Sequence, residues 1–243
     1  MKILALDSAT GACSVALWQD GAILARRFAV MDRGQSEVLI PMVREVLAEA
    51  GMDFPSIDAF GVTTGPGAFT GLRIGLAAAR GMALASGRPL VGVSTFEAVA
   101  FGVPPEERQG RRLIVAVESR REDVFIQPFD DELMALGEPR SIRPENLILP
   151  DSPVLVAGDG AARLRPCFAD PCFGELSEDP AAATRGGAPC RPDVRFAAGP
   201  GFPDAADVAR LVASRGLDAA GAAPPQPFYL RPPDVTLPTE KAR

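Results

Sequence analysis

The sequence lacks histidine entirely across its 243 residues. Without imidazole the chain has no general base for Ser-His or Cys-His catalysis and no His-ligated zinc site, which also excludes a His-based metalloprotease. Cysteine is scarce, because Cys13, Cys167, Cys172 and Cys190 include no CxxC pair and are too few for a disulfide framework. Reduced thiols are predicted, and any chemistry would depend on carboxylates, lysine, cysteine or backbone amides.

Long apolar runs and an excess of positive charge are missing as well. No apolar run reaches about 18 residues, and the start MKILALDSAT becomes polar too early for a signal peptide. The net charge of −6 argues against a long electrostatic footprint on nucleic acid, although a local basic patch between Arg108 and Arg121 stays open. With 47% hydrophobic residues, the chain is predicted to be globular, cytoplasmic and free of membrane contact.

Apolar periodicity predicts a β-β-β-α-β-α-β-α order over the first hundred residues. The predicted strands are 2–6, 13–18, 22–28, 59–63 and 90–93, and the predicted helices are 36–50, 71–86 and a short one at the capping box Ser94-Thr95-Phe96-Glu97. Ser36 is the predicted N-cap of the first helix. This order implies a mixed sheet covered by helices.

The second half shows weaker patterns and no visible internal repeat. Its predicted elements are strands at 112–117, 124–129 and 154–157, the last leading into Gly158-Asp159-Gly160, and a helix over about 204–216. A stretch of about 166–203 is rich in proline, glycine and alanine without periodicity, which predicts an irregular segment.

A glycine-rich run, TTGPGAFTGLRIG, covers Thr63–Gly75, between a predicted strand and a predicted helix. A P-loop needs GxxxxGK[ST], but Leu72 follows Gly71 and no lysine is near. The dinucleotide fingerprint GxGxxG is also unmatched, because Gly65, Gly67 and Gly71 give GxGxxxG and no acidic residue ends the next strand. Binding of some other anion at the helix start stays open.

Small residues recur along the helix that follows this run. Gly71, Gly75, Ala78, Ala79 and Met82 succeed one another at three- and four-residue spacings and leave one face with little side-chain bulk. Such a face lets another helix approach closely. From the residues alone, that helix belongs either to the same chain or to a second subunit.

A second phosphate candidate is the turn Asp7-Ser8-Ala9-Thr10 at the end of the first predicted strand. Its layout of strand, Asp-x-x-Thr turn and hairpin resembles the first phosphate-binding hairpin of the actin, sugar kinase and Hsp70 superfamily. That resemblance makes Asp7, Ser8 and Thr10 candidate phosphate-binding residues. Ala9 stands where glycine is usual, and Asp and Thr at a strand end are also ordinary turn formers.

Four segments together resemble the TsaB (YeaZ) family: MKILALDSATGACSVALWQDG, TTGPGAFTGLRIGLAAARGMAL, LVGVSTFEAVA and PFYLR. The resemblance is dense over 1–100 and poor over about 160–203. It implies an actin-like ASKHA (ribonuclease H-like) α/β fold of mixed sheets flanked by helices. The implied subdomains are 1–103, with the last helix packing back on it, and a reduced 104–243.

This family acts in the formation of N6-threonylcarbamoyladenosine at position 37 of tRNAs that read codons starting with A. The resemblance implies a non-catalytic scaffold that activates the transferase TsaD by direct pairing, with TsaE recruited to the complex and TsaC supplying the intermediate. It implies no required cofactor or metal, contact with tRNA through the complex, and self-association when TsaD is absent.

The implied partner interface lies on the two long helices and the run between them. Its residues are Ser36, Leu39, Val43, Gly65, Pro66, Gly67, Phe69, Thr70, Gly71, Arg73, Gly75, Ala78 and Met82. The family usually has a histidine before Ser-Glu at the first helix, and Gln35 replaces it here. Glutamine also donates and accepts hydrogen bonds, so the helix start is expected to survive.

Two other functions stay open at the level of the sequence. One is a stand-alone ASKHA-type kinase or ATPase, with the Asp7–Thr10 turn at the phosphates and Gly158-Asp159-Gly160 beside the adenosine. Against it, no second phosphate hairpin is recognisable in 118–124. The other is weak binding of ATP or ADP without turnover, alone or at the interface with TsaD.

Overall fold

The computed structural model describes residues 1–169, 193–217, 220–221 and 223–231. The strands are β1 (Lys2–Asp7), β2 (Ala12–Gln19), β3 (Ala22–Val30), β4 (Ala59–Gly65), β5 (Leu90–Ser94), β6 (Arg112–Glu118), β7 (Val124–Phe129), β8 (Arg140–Ile142), β9 (Val154–Ala157) and β10 (Val194–Phe196). The helices are α1 (Gln35–Glu49), α2 (Phe69–Ser86), α3 (Thr95–Gly102), α4 (Pro105–Arg108), α5 (Ala161–Ala169) and α6 (Ala205–Arg215).

The described strands form two five-stranded sheets of identical topology. The first has the order β3-β2-β1-β4-β5, and the second, read from its opposite edge, has the order β8-β7-β6-β9-β10. In each, the central strand pairs antiparallel with the strand that follows it and parallel with a later one. The chain therefore contains a structural repeat, which the sequence had not indicated.

Helices cover both faces of the first sheet. Leu4 and Leu6 of β1 point into a core shared with α1 and α2, while the alternate residues Ile3 and Ala5 point into a core shared with α6. Gly61 of β4 makes room for α6, because two valine side chains of that helix lie 3.0 and 3.2 Å from where a Cβ would stand. The last helix thus packs on the first sheet.

The second sheet is joined to the first through α3. Phe96 and Val99 of α3 pack against Leu113 and Val115 of β6. The predicted capping box opens α3: the Phe96 N–H donates to Ser94 Oγ at 3.1 Å, and the Ser94 N–H donates to a Glu97 carboxylate oxygen at 2.9 Å. The opposite face of this sheet packs against α5.

Several predictions from the sequence differ from this structure. Ser36 is not the N-cap of α1; Gly34 is, in the left-handed conformation at φ 92°, and no side chain caps the helix. The irregular segment expected over about 166–203 is structured at both ends, since α5 continues to Ala169 and β10 pairs parallel with β9. The rest of that segment, 170–192, lies outside the described residues.

Two further predictions concern membrane-spanning segments and the state of the cysteines. Within the part of the chain that the structure describes, no helix is long and apolar enough to span a bilayer. Cys13 and Cys167 are buried free thiols, as predicted. Cys172 and Cys190 lie outside the described residues.

Candidate functional site

The Asp7–Thr10 turn lies in the interior of the first half. Asp7, Ser8 and Thr10 are 0%, 1% and 3% exposed. The glycine-rich run covers them: the Ala68 N–H donates to the carbonyl oxygen of Ala9 at 2.7 Å, and Ser8 Oγ donates to the carbonyl oxygen of Gly71 at 2.8 Å. The structure therefore brings the two predicted phosphate segments together and packs them against each other.

Three glycines make this close packing possible. A Cβ at Gly67 would lie 2.1 Å from the carbonyl oxygen of Ala9, and one at Gly71 would lie 2.1 Å from that of Ser8. A Cβ at Gly75 would lie 2.7 Å from Ser8 Oγ. These glycines serve an approach of α2 to the chain's own backbone.

The small residues of α2 form two stripes rather than one face. Gly71, Gly75 and Ala79, four residues apart, are buried against the first half. Ala77, Gly81 and Ala85, also four apart, are exposed, and nothing lies within 4 Å of a Cβ built on Gly81. The stripe through Gly71 and Gly75 packs within the chain, which is one of the two alternatives that the sequence had left open.

The predicted interface residues divide by exposure. Those in the interior are Leu39, Val43, Gly65, Pro66, Gly71 and Gly75; those half-buried are Gly67, Ala78 and Met82; those exposed are Ser36, Phe69, Thr70 and Arg73. Leu39 and Val43 belong to the core beneath α1. The assignment of these residues to a partner interface stays a prediction, and within the chain the buried set supports the surface from beneath.

Two exposed apolar side chains were missed by the sequence reasoning. Leu84 of α2 is 86% exposed and Ile40 of α1 is 46% exposed. Leu84 follows Ala77 and Gly81 at helical spacing, so the sequence did contain a pattern for this exposed stripe. The interface prediction from the sequence used the stripe through Gly71 and Gly75 instead. We define the outer α1/α2 face as Ile40, Ala77, Gly81, Leu84 and Ala85.

Asp7 is an unusual carboxyl group. Its Oδ1 accepts hydrogen bonds from Thr63 Oγ1 at 2.6 Å and from the Ala9 N–H at 3.1 Å, while its Oδ2 has no partner among the described residues. Burial raises the pKa of Asp7 from 3.8 to about 7, against the lowering by those hydrogen bonds. Burial likewise raises the pKa of Asp159 to about 6.

The side chains around this turn give little support for a metal site. Among the residues that the structure describes, no group of three or more Cys, Asp or Glu side chains is arranged to hold a metal ion.

The buried Asp7 makes stability depend on pH. Because its folded pKa of about 7 exceeds 3.8, the folded state holds the proton when the unfolded state has lost it, so stability falls as pH rises between these values. The Asp7→Asn variant keeps an acceptor but has no proton to lose. We expect it to be more stable than the wild type at pH 8, by up to about 4 kcal/mol, with a flatter pH profile.

Urea unfolding at pH 4, 6 and 8 measures this effect. Asp151→Asn, at an exposed position, is the matched control and should keep the wild-type slope. Parallel pH profiles for Asp7→Asn and the wild type would show that Asp7 is ionised in the folded protein.

The corresponding region of the second half is also filled. A Cβ at Gly158 would lie 1.9 Å from the carbonyl oxygen of Ala116, and one at Gly201 would lie 2.4 Å from the carbonyl carbon of Gly158. The Gly158-Asp159-Gly160 turn is thus pressed between β6 and the segment that leads to α6. Its glycines are used for packing within the chain, as they are in the first half.

A C-terminal strap, residues 224–231, joins the two halves. The Phe228 N–H donates to the carbonyl oxygen of Thr64 at 2.7 Å, and Arg73 Nε donates to the Tyr229 hydroxyl at 3.1 Å. At its end, Arg231 donates to Asp123 Oδ1 at 2.6 Å. Burial raises the pKa of Asp123, but hydrogen bonds from Ser141 and Ser119 and the charge of Arg231 outweigh it and hold the pKa below its usual value.

The strap forms one wall of a cleft between the halves. This interlobe cleft has a volume of roughly 800 Å³ and is lined by parts of 32–36, 66–71, 119–121 and 228–231, together with Ile74 and Phe125. The N-terminal turns of α1 and α2 both reach it.

Comparison with known proteins identifies relatives along most of the chain. The family model of TsaD, tRNA N6-adenosine threonylcarbamoyltransferase, matches residues 28–153, which are 126 of 243 residues. TsaB of Escherichia coli (strain K12), named a tRNA threonylcarbamoyladenosine biosynthesis protein, is 40% identical over 125 residues, 51% of this chain and 53% of that protein. An uncharacterized protein of Mycobacterium tuberculosis (strain ATCC 25618 / H37Rv) is 32% identical over 74% of this chain and 81% of its own length.

A solved structure extends the similarity to nearly the whole fold. YeaZ from Pseudomonas aeruginosa matches with a TM-score of 0.71 and 29% identity, over 94% of this chain and 99% of that one. In sequence, the chain spans about half the length of the first curated relatives, 53% of the E. coli protein and 52% of the Haemophilus influenzae TsaB.

The duplicated mixed sheets, with a hairpin turn at the end of β1, define an actin-like ASKHA fold, as the sequence predicted. The turns at which that class binds nucleotide are packed here against the chain's own backbone. The chain belongs to the TsaB (YeaZ) family.

Proposed function

We propose that this chain is a non-catalytic subunit in the formation of N6-threonylcarbamoyladenosine at position 37 of tRNAs that read codons starting with A. In this proposal it pairs directly with a transferase of the TsaD class and activates it. TsaE joins the complex, and TsaC or its homologue supplies the intermediate. The name of the E. coli relative supports the pathway.

The observation that carries the proposal is the filled turn at Asp7–Thr10. The Ala68 N–H donates to the carbonyl oxygen of Ala9 and Ser8 Oγ donates to the carbonyl oxygen of Gly71, so these groups of the turn are used within the chain. Even a single methyl group on Gly71 would lie 2.1 Å from the carbonyl oxygen of Ser8, so α2 and the turn are in direct contact there. A chain that lacks histidine has no His-ligated metal site, and the packing of α2 on the turn argues against phosphoryl transfer at Asp7.

Docking on the outer α1/α2 face supports the scaffold role. Leu84 at 86% exposure and Ile40 at 46% exposure leave apolar surface in water, which binding to another protein would bury. Ala77, Gly81 and Ala85 allow a partner helix to approach the α2 backbone closely. The same face would pair two copies of this chain when TsaD is absent.

Reconstitution tests the proposal directly. The chain is mixed with TsaD, TsaE and TsaC of the same organism, ATP, threonine, bicarbonate and an unmodified tRNA transcript, and the modified nucleoside is quantified. We expect modification to depend on this chain. Equal modification with and without it would refute the activating role.

The stand-alone kinase or ATPase is the second candidate, and the packing of Gly67, Gly71 and Gly158 argues against it. It predicts ATP hydrolysis by the isolated chain that disappears in Asp7→Ala. No cofactor is required in the scaffold proposal, and weak binding of ATP or ADP at the interface with TsaD is compatible with it.

A further inference from the structure

The interlobe cleft concentrates positive charge in an otherwise acidic protein. Its described lining includes Arg33, Arg120, Arg121 and Arg231 but one acidic side chain, Asp32, whereas the chain as a whole carries a net charge of −6. Arg231 is paired with Asp123. The side chains of Arg33 and Arg120 are exposed and have no ion pair or hydrogen bond to the described residues. The cleft therefore offers unneutralised cations to a ligand.

Two long helices add to this positive potential. Gln35 and Ser36 in the first turn of α1, and Phe69 and Thr70 in the first turn of α2, line the same cleft. Neither helix has a side-chain cap, so its first N–H groups and the positive end of its dipole stay available to an anion. Both helix starts and the arginines favour the same kind of ligand, one with negative charge.

Aromatic side chains at the cleft indicate what else the ligand carries. Phe69 is 43% exposed, Phe228 is 38% exposed, and Tyr229 stacks near Phe69 with ring centroids 5.3 Å apart. The Arg73 guanidinium lies 3.6 Å from the centroid of the Phe69 ring and covers one of its faces, whereas the Phe228 ring has no aromatic or cation–π partner among the described residues. Partly exposed aromatic rings beside exposed arginines are an arrangement with which proteins bind unpaired bases.

We propose that the interlobe cleft binds an unpaired, phosphate-bearing strand of the substrate RNA, with Arg33 and Arg120 on its phosphates. Naming tRNA as that RNA rests on the proposed function above. The cleft is concave and roughly 800 Å³ in volume, which suits a few nucleotides of single strand better than a duplex.

This position leaves room for a partner protein at the same time. Gly81 on the outer α1/α2 face lies 11 residues along α2 from Thr70 at the cleft, which corresponds to about 16 Å of helix. A strand in the cleft and a subunit on Gly81, Leu84 and Ala85 would therefore contact α2 towards its opposite ends. The chain would then contact RNA directly as well as through its complex.

Binding of an unmodified tRNA transcript to the full chain alone tests the proposal, by fluorescence anisotropy at several salt concentrations. Replacing both cleft arginines, Arg33→Ala with Arg120→Ala, should weaken binding about tenfold near 0.15 M salt and lower the slope of log K against log salt by about 1.4. The matched control is Arg88→Ala with Arg112→Ala, which removes the same charge at exposed sites outside the cleft. It should leave the affinity within about twofold of the wild type, because neither position contacts the bound strand.

Three outcomes would overturn the proposal. The first is no binding of the transcript, and the second is an equal loss of RNA affinity in both double variants. The third is competition by ATP for the cleft while the cleft variants keep the wild-type affinity for RNA. Since this assay contains no TsaD and reads no modification, its failure leaves the scaffold role untouched. A negative reconstitution likewise leaves the RNA measurement interpretable.

Discussion

Substituting Gly81 by leucine should abolish pairing with TsaD while leaving this chain folded. Gly81 lies mid-helix on the outer α1/α2 face, and a Cβ there meets nothing within 4 Å in the monomer. In the proposed complex the added side chain would hold the partner helix away from the α2 backbone. We expect a loss of about 2–4 kcal/mol in binding, at least thirtyfold in Kd, which removes co-elution with TsaD and stimulation of tRNA modification.

Two control variants separate docking from general effects of hydrophobic substitution. Ala162→Leu places the same leucine side chain at an exposed position of α5 in the second half and should keep full pairing. Gly81→Ala, with much less added bulk, should lose far less affinity than Gly81→Leu. Unchanged co-elution of Gly81→Leu with TsaD would place the interface on another surface.

Substituting Gly71 by alanine should destabilise the fold by about 3 kcal/mol or more, although alanine is the better helix former. The new methyl group would lie 2.1 Å from the carbonyl oxygen of Ser8, which is backbone and cannot rotate away. Relief requires α2 to move off the Asp7–Thr10 turn, which breaks the hydrogen bond from Ser8 Oγ to Gly71. Urea unfolding followed by far-UV circular dichroism measures the loss.

The same substitution at Gly81 is the matched control for Gly71→Ala. Both residues are interior glycines of α2, but Gly81 faces open space, so Gly81→Ala should stabilise the fold by roughly 0.5–1 kcal/mol. Opposite signs for the two variants would confirm that α2 is packed on the turn through its glycines. A stable Gly71→Ala protein would mean that this turn is open in solution.

The elements of the first half were predictable because each follows a local pattern. Strands β1 to β5 and helices α1 to α3 match the predicted order, with ends that differ by a few residues. The short strands β8 and β10 were missed, because three residues carry no periodicity and are defined by pairing with β7 and β9. The structural repeat was missed as well. The two sheets share an order of strand pairing, and pairing is not visible as similarity between the two halves of the sequence.

The orientation of α2 was not predictable from its own sequence. Gly71, Gly75, Ala78 and Met82 fit three- and four-residue spacings, but so do Ala77, Gly81 and Ala85. The choice between the stripes depends on Ser8, which lies 63 residues from Gly71 in sequence and donates a hydrogen bond to it.

The C-terminal strap was visible in the sequence as PFYLR, but its contacts with Thr64 and Asp123 require the assembled fold.

The position of α6 has a consequence for how the protein is made. The face of the first sheet that carries Ile3 and Ala5 is completed by Val208 and Val212, and the Ala205 N–H donates to Ser14 Oγ across 191 residues of sequence. When the first hundred residues have left the ribosome, this apolar face has no cover. At roughly 5–20 residues per second, the roughly 115 residues that follow, up to the end of α6 at Arg215, take on the order of 6–23 s to synthesise. This apolar face therefore stays uncovered during that interval, and the first half can complete its core only after α6 has left the ribosome.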